Sequence, residues 1–157
     1  MSEQHSNPQQ NIFFSVGEPS GDLHAANLMH SIQARSPGVS FRGFGGERMA
    51  AAGCQLDYEL TQLAVVGFVE VVPKLREFFR VADIGSHVFA SDKPSAVVLV
   101  DFPGFNWHIA KRAQQEGIPV YYYLPPQLWA WGSWRIKKLR RSVDHVLCNL
   151  PFEKAWY

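Results

Sequence analysis

A chain of 157 residues has the length of one domain, able to bury roughly 70% of the surface its unfolded form exposes. Its 46% hydrophobic and 18% charged residues describe an ordinary globular protein. A net charge of +1 argues neither for nor against a nucleic-acid partner, so only local clusters of charge can inform.

The first ten residues (MSEQHSNPQQ) have the composition of a disordered polar tail, with no apolar core of a secretory signal. Ile12 to Val16 predicts a short strand, and Gly17-Glu18-Pro19-Ser20-Gly21-Asp22 a turn into a helix running to about Ala34. Ser20 or Asp22 is a candidate cap for that helix, with Leu23, Ala26, Asn27, Leu28 and Ile32 toward its inner side. Val39 to Phe44 predicts a second strand, completing a βαβ unit. Neither GEPSGD nor GFGGER completes G-x-G-x-x-G, which argues against NAD or FAD.

Glu47 to Gly53 predicts a short helix closed by its glycine. Leu63 to Val72 (LAVVGFVEVV) is strongly apolar and runs into Pro73, a good first helical residue, with a helix to about Phe89. Val71, Val72, Leu75, Phe78, Phe79 and Ala82 fall on one stripe, with Lys74, Arg76, Glu77 and Arg80 around it. Such a stripe is either core or a surface patch that dips into lipid.

Ala96 to Val100 (AVVLV) is apolar without alternation, the mark of a strand buried on both faces of a parallel sheet. It ends on Asp101, followed by Pro103 and Gly104. In open α/β sheets ligands bind outside the carboxyl ends of the strands, so Asp101 is either a reactive acid or a cap for the next helix. A helix from Phe105 to Glu116 and a buried strand from Pro119 to Leu124 follow. Beyond Pro125-Pro126, QLWAWGSW places three tryptophans in six residues. Arg135, Lys137, Lys138, Arg140 and Arg141 then share one short helix. Basic residues beside tryptophans suit an anionic lipid surface or a phosphorylated ligand, or are a solvated helix face with tryptophans beneath. No stacking motif accompanies them, so nucleic acid is not expected. Val143 to Leu147 predicts the next strand, and Pro151-Phe152-Glu153 opens a last helix.

The succession predicts an α/β fold: a doubly wound, mostly parallel, Rossmann-like sheet of about five strands flanked by helices. Cys54 and Cys148 stand in no ligand spacing and the six histidines are scattered, so neither a metal nor a cofactor is expected. Two isolated cysteines fit a reducing compartment, and no apolar run nears the ~18 residues of a spanning helix. A cytoplasmic protein follows, attached at most to a membrane surface. Glu18, Asp22 and Asp101 are the acids at strand–helix turns, and parallel strands bring such turns to one edge.

The segments FFSVGEPSGDLHAANL, FRGFGGERMAAAGC, LAVVGFVEVVPKL, VVLVDFPGFN, PPQLWAW and LPFEKAWY, in that order from about Asn11 to Tyr157, resemble the lipid-A-disaccharide synthase family. The resemblance implies the N-terminal domain of a GT-B glycosyltransferase. It implies inverting transfer of 2,3-diacylglucosamine from UDP to 2,3-diacylglucosamine 1-phosphate (lipid X), in lipid A biosynthesis of Gram-negative bacteria. It makes Asp101 the general base, with Asn106 orienting it or contacting the acceptor. It puts Gly17, Glu18, Ser20, Gly21, Asp22, Gln127 and Trp129 on the substrate. Because both substrates are acylated, it makes Val66, Phe68, Val69, Val71, Val72, Leu75, Phe78 and Phe79 a docking patch on the cytoplasmic face of the inner membrane. The basic cluster would attract headgroups or the acceptor's phosphate. The nucleotide site of such enzymes lies mainly in a second half that these residues do not supply. The expectation is thus an acceptor-side domain over 11–157, inactive alone, which needs a C-terminal half or self-associates. The alternative is a lipid-binding module without catalysis.

Overall fold

The computed structural model describes the backbone of residues 10–65 and 71–157, and the side chains of these apart from 64–74. The polar tail before Gln10, and Val66, Phe68 and Val69 of the expected docking patch, lie outside the described residues, as do the side chains of Val71 and Val72. The chain runs β1 (Asn11–Val16), α1 (Pro19–Arg35), β2 (Ser40–Phe44), α2 (Glu47–Ala51), β3 (Cys54–Tyr58), α3 (Leu60–Val65), α4 (Val71–Asp92), β4 (Ala96–Val100), α5 (Pro103–Gln115), β5 (Val120–Tyr123), α6 (Leu128–Trp131), a 3-10 turn (Ser133–Arg135), α7 (Ile136–Ser142), β6 (His145–Leu147) and α8 (Glu153–Trp156).

Among the described residues, six strands pair in parallel in the order β3-β2-β1-β4-β5-β6. This is the doubly wound order of nucleotide-binding folds, and its direction of growth reverses between β1 and β4. The expected fold class stands, with six strands in place of about five. The added one, β3, carries Gln55 and Asp57 at alternate positions on the sheet's edge, so it lacks the oily run that marks the inner strands.

Burial on both sheet faces explains AVVLV. Val97 and Leu99 pack with Phe13, Phe44, Phe89 and Ile109 under α4 and α5, while Val98 and Val100 pack with Phe14, Ala25, Met29 and Met49 under α1 and α2. The inner face of α1 is Gly21, Ala25, Ala26 and Met29, at three-and-four spacing; Leu23 and Asn27, expected inside, face out. Small residues there let the helix lie close on the sheet. At the far edge Arg42 joins β2 to β3 through Asp57 (3.0 and 2.5 Å), and also pairs with Asp92 at the end of α4.

Candidate active site

The crevice between β1 and β4 is built by two turns. The pairing Val16↔Val100 sets the turn after β1, beginning at Gly17, beside the turn after β4, beginning at Asp101. Asp101 and Phe102 both take left-handed conformations, φ +48° and +46°. Such geometry in non-glycine residues costs on the order of 1–3 kcal/mol each and persists only where the surroundings impose it. The imposition is visible. The Asp101 carbonyl accepts hydrogen bonds from Asn106 Nδ2 (2.7 Å) and the Tyr122 hydroxyl (2.7 Å). The Phe102 ring lies over Gly17, where any Cβ would enter the ring's van der Waals envelope. Glycine is required at 17 by this close approach.

Asp101 opens into a cleft of about 440 Å³ lined also by Ser20, Gly21, His24, Tyr123, Leu124, Pro125, Pro126, Gln127 and Asn149. Of the residues expected on the substrate, Ser20, Gly21 and Gln127 are brought to this cleft. Glu18 follows Gly17 in the turn after β1, beside the turn that carries Asp101. Burial, then the nearby Asp101 side chain, push the Glu18 carboxyl above its ordinary range. Tyr122 is pushed well above the usual phenol range, chiefly by burial, and so remains a neutral donor. His24, Tyr123 and Asn149 were not singled out in the sequence; each sits at or after the carboxyl end of a strand, the signal that could have found them.

Three expected contacts are corrected. Asp22 is 4% exposed and caps another helix: Oδ1 accepts from the amides of Gly46 (2.9 Å) and Met49 (3.1 Å), and Oδ2 from Arg48 (3.0 Å). Neither does it nor Ser20 cap α1, where no side-chain cap bond forms. Trp129 donates its indole N–H to Glu153 Oε1 (3.0 Å) and sets its ring edge-on to Phe152, away from the cleft lining. Asn106 is wholly buried and cannot contact an acceptor. Besides the Asp101 carbonyl it donates to those of Val100 and Ser15 (both 3.3 Å), and it accepts from Ser15 Oγ (2.7 Å).

A second region lies on the outer side of α5. Leu75, Phe78, Phe79, Ala82, Phe102, Gly104, Phe105 and His108 line an apolar pocket of about 280 Å³ between α4 and α5. Phe79 is 51% exposed and Leu75 49%, whereas Phe78 packs on Phe102 and Phe105 at 5.8 and 5.7 Å and belongs to the core's margin. Gly104 and His108 also belong to a larger groove, about 970 Å³, lined by Trp107, Lys111, Trp134, Arg135, Lys137, Lys138 and Arg141. Lys138 lies over the Trp107 ring (5.5 Å) and Arg135 over Trp134 (5.6 Å). Arg135 stands in the 3-10 turn and Arg140 is outside the lining, so the basic cluster is not one face of one helix. Burial, then the charges of Arg112, Lys138 and Lys111, hold His108 below its ordinary value.

A family model described as lipid-A-disaccharide synthetase matches residues 12–157. The chain is 40% identical over 152 residues to a lipid-A-disaccharide synthase of Myxococcus xanthus, covering 97% of this chain and 39% of that protein. It is 41% identical over 149 residues to the one of Trichlorobacter lovleyi (93% and 38%), and 39% identical over 148 residues to that of Coxiella burnetii (94% and 39%). The chain thus spans well under half the length of these curated relatives. Among solved structures, a ugt transferase from Siraitia grosvenorii in complex with UDP matches 72% of this chain and 27% of its own at 15% identity and a TM-score of 0.48, too loose a likeness to carry a conclusion.

Proposed function

The chain belongs to the lipid-A-disaccharide synthetase family, and from that premise we propose that it is the acceptor-side, base-carrying part of a glycosyltransferase. The reaction is transfer of 2,3-diacylglucosamine from UDP to lipid X with inversion. The acceptor hydroxyl oxygen bonds to the anomeric carbon as the bond to the UDP oxygen breaks, its electron pair leaving with UDP. The hydroxyl proton passes to Asp101. A positioned carboxylate base of this kind contributes roughly 10²–10⁴-fold.

The observation that carries this reading is the placement of Asp101. It lies at the carboxyl end of a buried strand, at the switch point of the sheet, on a clamped turn facing a cleft large enough for a sugar. Ser20, Gly21 and Gln127 would hold the acceptor's hydroxyls, and Asn106 orients Asp101 through its backbone. The UDP moiety is assigned to the part of the relatives that this chain does not span, so the chain alone turns over little. Acylated substrates call for a membrane surface. The exposed Leu75 and Phe79 beside the cationic α5–α7 groove fit peripheral binding at the cytoplasmic face of the inner membrane, and no described helix is long and apolar enough to cross one.

Amide-shift mapping on the ¹⁵N-labelled chain with a short-acyl 2,3-diacylglucosamine 1-phosphate tests the reading. Perturbations at Ser20, Gly21, Asp101 and Gln127 are expected. Shifts confined to the α5–α7 groove would instead favour a second reading, a lipid-binding module without catalysis. The joined apolar pocket and basic groove are the observation behind that alternative.

A further inference from the structure

The register that pairs Tyr123 with Leu147 brings the chain after β5 and the chain after β6 out side by side. Both line the cleft of Asp101: Pro125, Pro126 and Gln127 from the first, Asn149 from the second. The first has little backbone bonding to hold it, since Pro125 and Pro126 carry no N–H. The group that holds both is Glu153, the first residue of α8, only 1% exposed. Its Oε1 accepts the indole N–H of Trp129 (3.0 Å), two residues past Gln127. Its Oε2 accepts the amide of Leu150 (3.2 Å), next to Asn149. At the other end of α8 the Tyr157 hydroxyl donates to the Pro126 carbonyl, so the short helix is fastened twice to the segment after β5. Among the described residues no lysine or arginine makes a salt bridge to Glu153. A buried acid without a cation is costly to keep, and its bonds are what retain it. Both partners are N–H donors. An ionised carboxylate accepts with both oxygens, whereas a glutamine would turn its NH2 toward one of the donors.

We propose that Glu153 is a positioning residue for the acceptor: by joining Trp129 to Leu150 it fixes the spacing of Gln127 and Asn149, whose side-chain amides hold the polar groups of the acceptor sugar opposite the turn of Asp101. Each of those amides offers a carbonyl acceptor and an NH2 donor, the complement of a sugar's hydroxyl and acylamido groups. Such groups serve only if the protein sets their separation beforehand, because ordering them on binding would cost affinity. The bridge supplies that order from behind the wall, out of reach of substrate. Trp129 thereby gains a role that its place outside the cleft lining does not suggest, and its ring, edge-on to Phe152 at 4.9 Å, keeps the indole N–H aimed at Glu153. The use of the bridge rests on the cleft being the acceptor site; the bridge itself does not.

Binding of the short-acyl 2,3-diacylglucosamine 1-phosphate to the full 157-residue chain tests it, with Kd read from amide shifts. Trp129→Phe keeps a ring against Phe152 and removes only the N–H, while Glu153→Gln turns a donor toward a donor. Each should raise Kd roughly tenfold, the worth of one well-made hydrogen bond. Each should also move the side-chain NH2 signals of Gln127 and Asn149 in the free protein. The double variant should bind no more weakly than Glu153→Gln alone, because the two residues act as one unit. Trp129→Phe suffices if Glu153→Gln fails to fold. A lower Tm with Kd and both NH2 signals unchanged would make the bridge structural only and overturn the proposal, as would effects that multiply in the double variant. Perturbations at Ser20 and Asp101 with a Kd indifferent to both variants would remove the role of Glu153 and keep the acceptor site. Perturbations wholly outside the cleft would remove both.

Discussion

Asn106→Ala probes how the strained turn is held. Asn106 has no exposed surface, and its shortest bonds are to Ser15 Oγ and the Asp101 carbonyl, both 2.7 Å. On truncation the Asp101 carbonyl keeps the Tyr122 hydroxyl, but the buried Ser15 hydroxyl loses the acceptor it had. A buried polar group left unmatched costs about 1–3 kcal/mol, and the longer bonds to Val100 and Ser15 are lost besides. The cavity adds a further penalty, so a total of about 3 kcal/mol is expected. For a chain of this size that corresponds to roughly 6–12 °C in Tm. Urea unfolding followed by circular dichroism measures it. The double variant Ser15→Ala/Asn106→Ala should regain about 1 kcal/mol, because the orphaned hydroxyl is gone. A loss below about 1 kcal/mol, or no recovery in the double variant, would refute the clamp.

Three other outcomes follow from the same geometry. Asp22→Ala removes acceptors from three amides at the start of α2 and should lower stability by about 2–3 kcal/mol, with hydrogen exchange fastest to rise at Gly46, Arg48 and Met49; faster exchange elsewhere but not there would contradict the cap. Leu75→Ser/Phe79→Ser should weaken sedimentation with anionic liposomes while leaving the melting curve nearly unchanged, whereas Phe78→Ser should lower Tm, since that ring packs on Phe102 and Phe105. Glu18→Gln should stabilise the chain at neutral pH. A carboxyl raised in the folded state favours folding while protonated and loses that contribution as pH rises through its folded value, so the gain from Gln should vanish in acid and open with rising pH. A gain that is constant with pH would contradict this.

Much of the scaffold was legible because the signals are local. A five-residue oily run without alternation, closed by a turn at Pro103-Gly104, suits an inner parallel strand, and Ala96–Val100 is one. The edge strand Cys54–Tyr58 was not legible, since Gln55 and Asp57 make it read as a polar connection. Glu18, Asp22 and Asp101 were singled out together by the rule that turns after parallel strands share an edge, and the register does set the turns after β1 and β4 side by side. The rule does not reveal that Asp101 and Phe102 are left-handed, because no glycine or asparagine announces it. Asp22 and Trp129 mislead for a different reason. Each looks like part of a local turn, yet its partner is distant in sequence: α2 for Asp22, Glu153 for Trp129. Chemistry that depends on such tertiary pairings has no signature in a window of neighbours.

The direct test of Asp101 as the base is turnover by a hybrid in which this chain is joined to the C-terminal remainder of the Myxococcus xanthus relative. With UDP-2,3-diacylglucosamine and lipid X as substrates, Asp101→Asn should lower kcat by roughly 10²–10⁴-fold while KM for lipid X changes little. Equal kcat in the Asp101→Asn and unaltered hybrids would contradict the account.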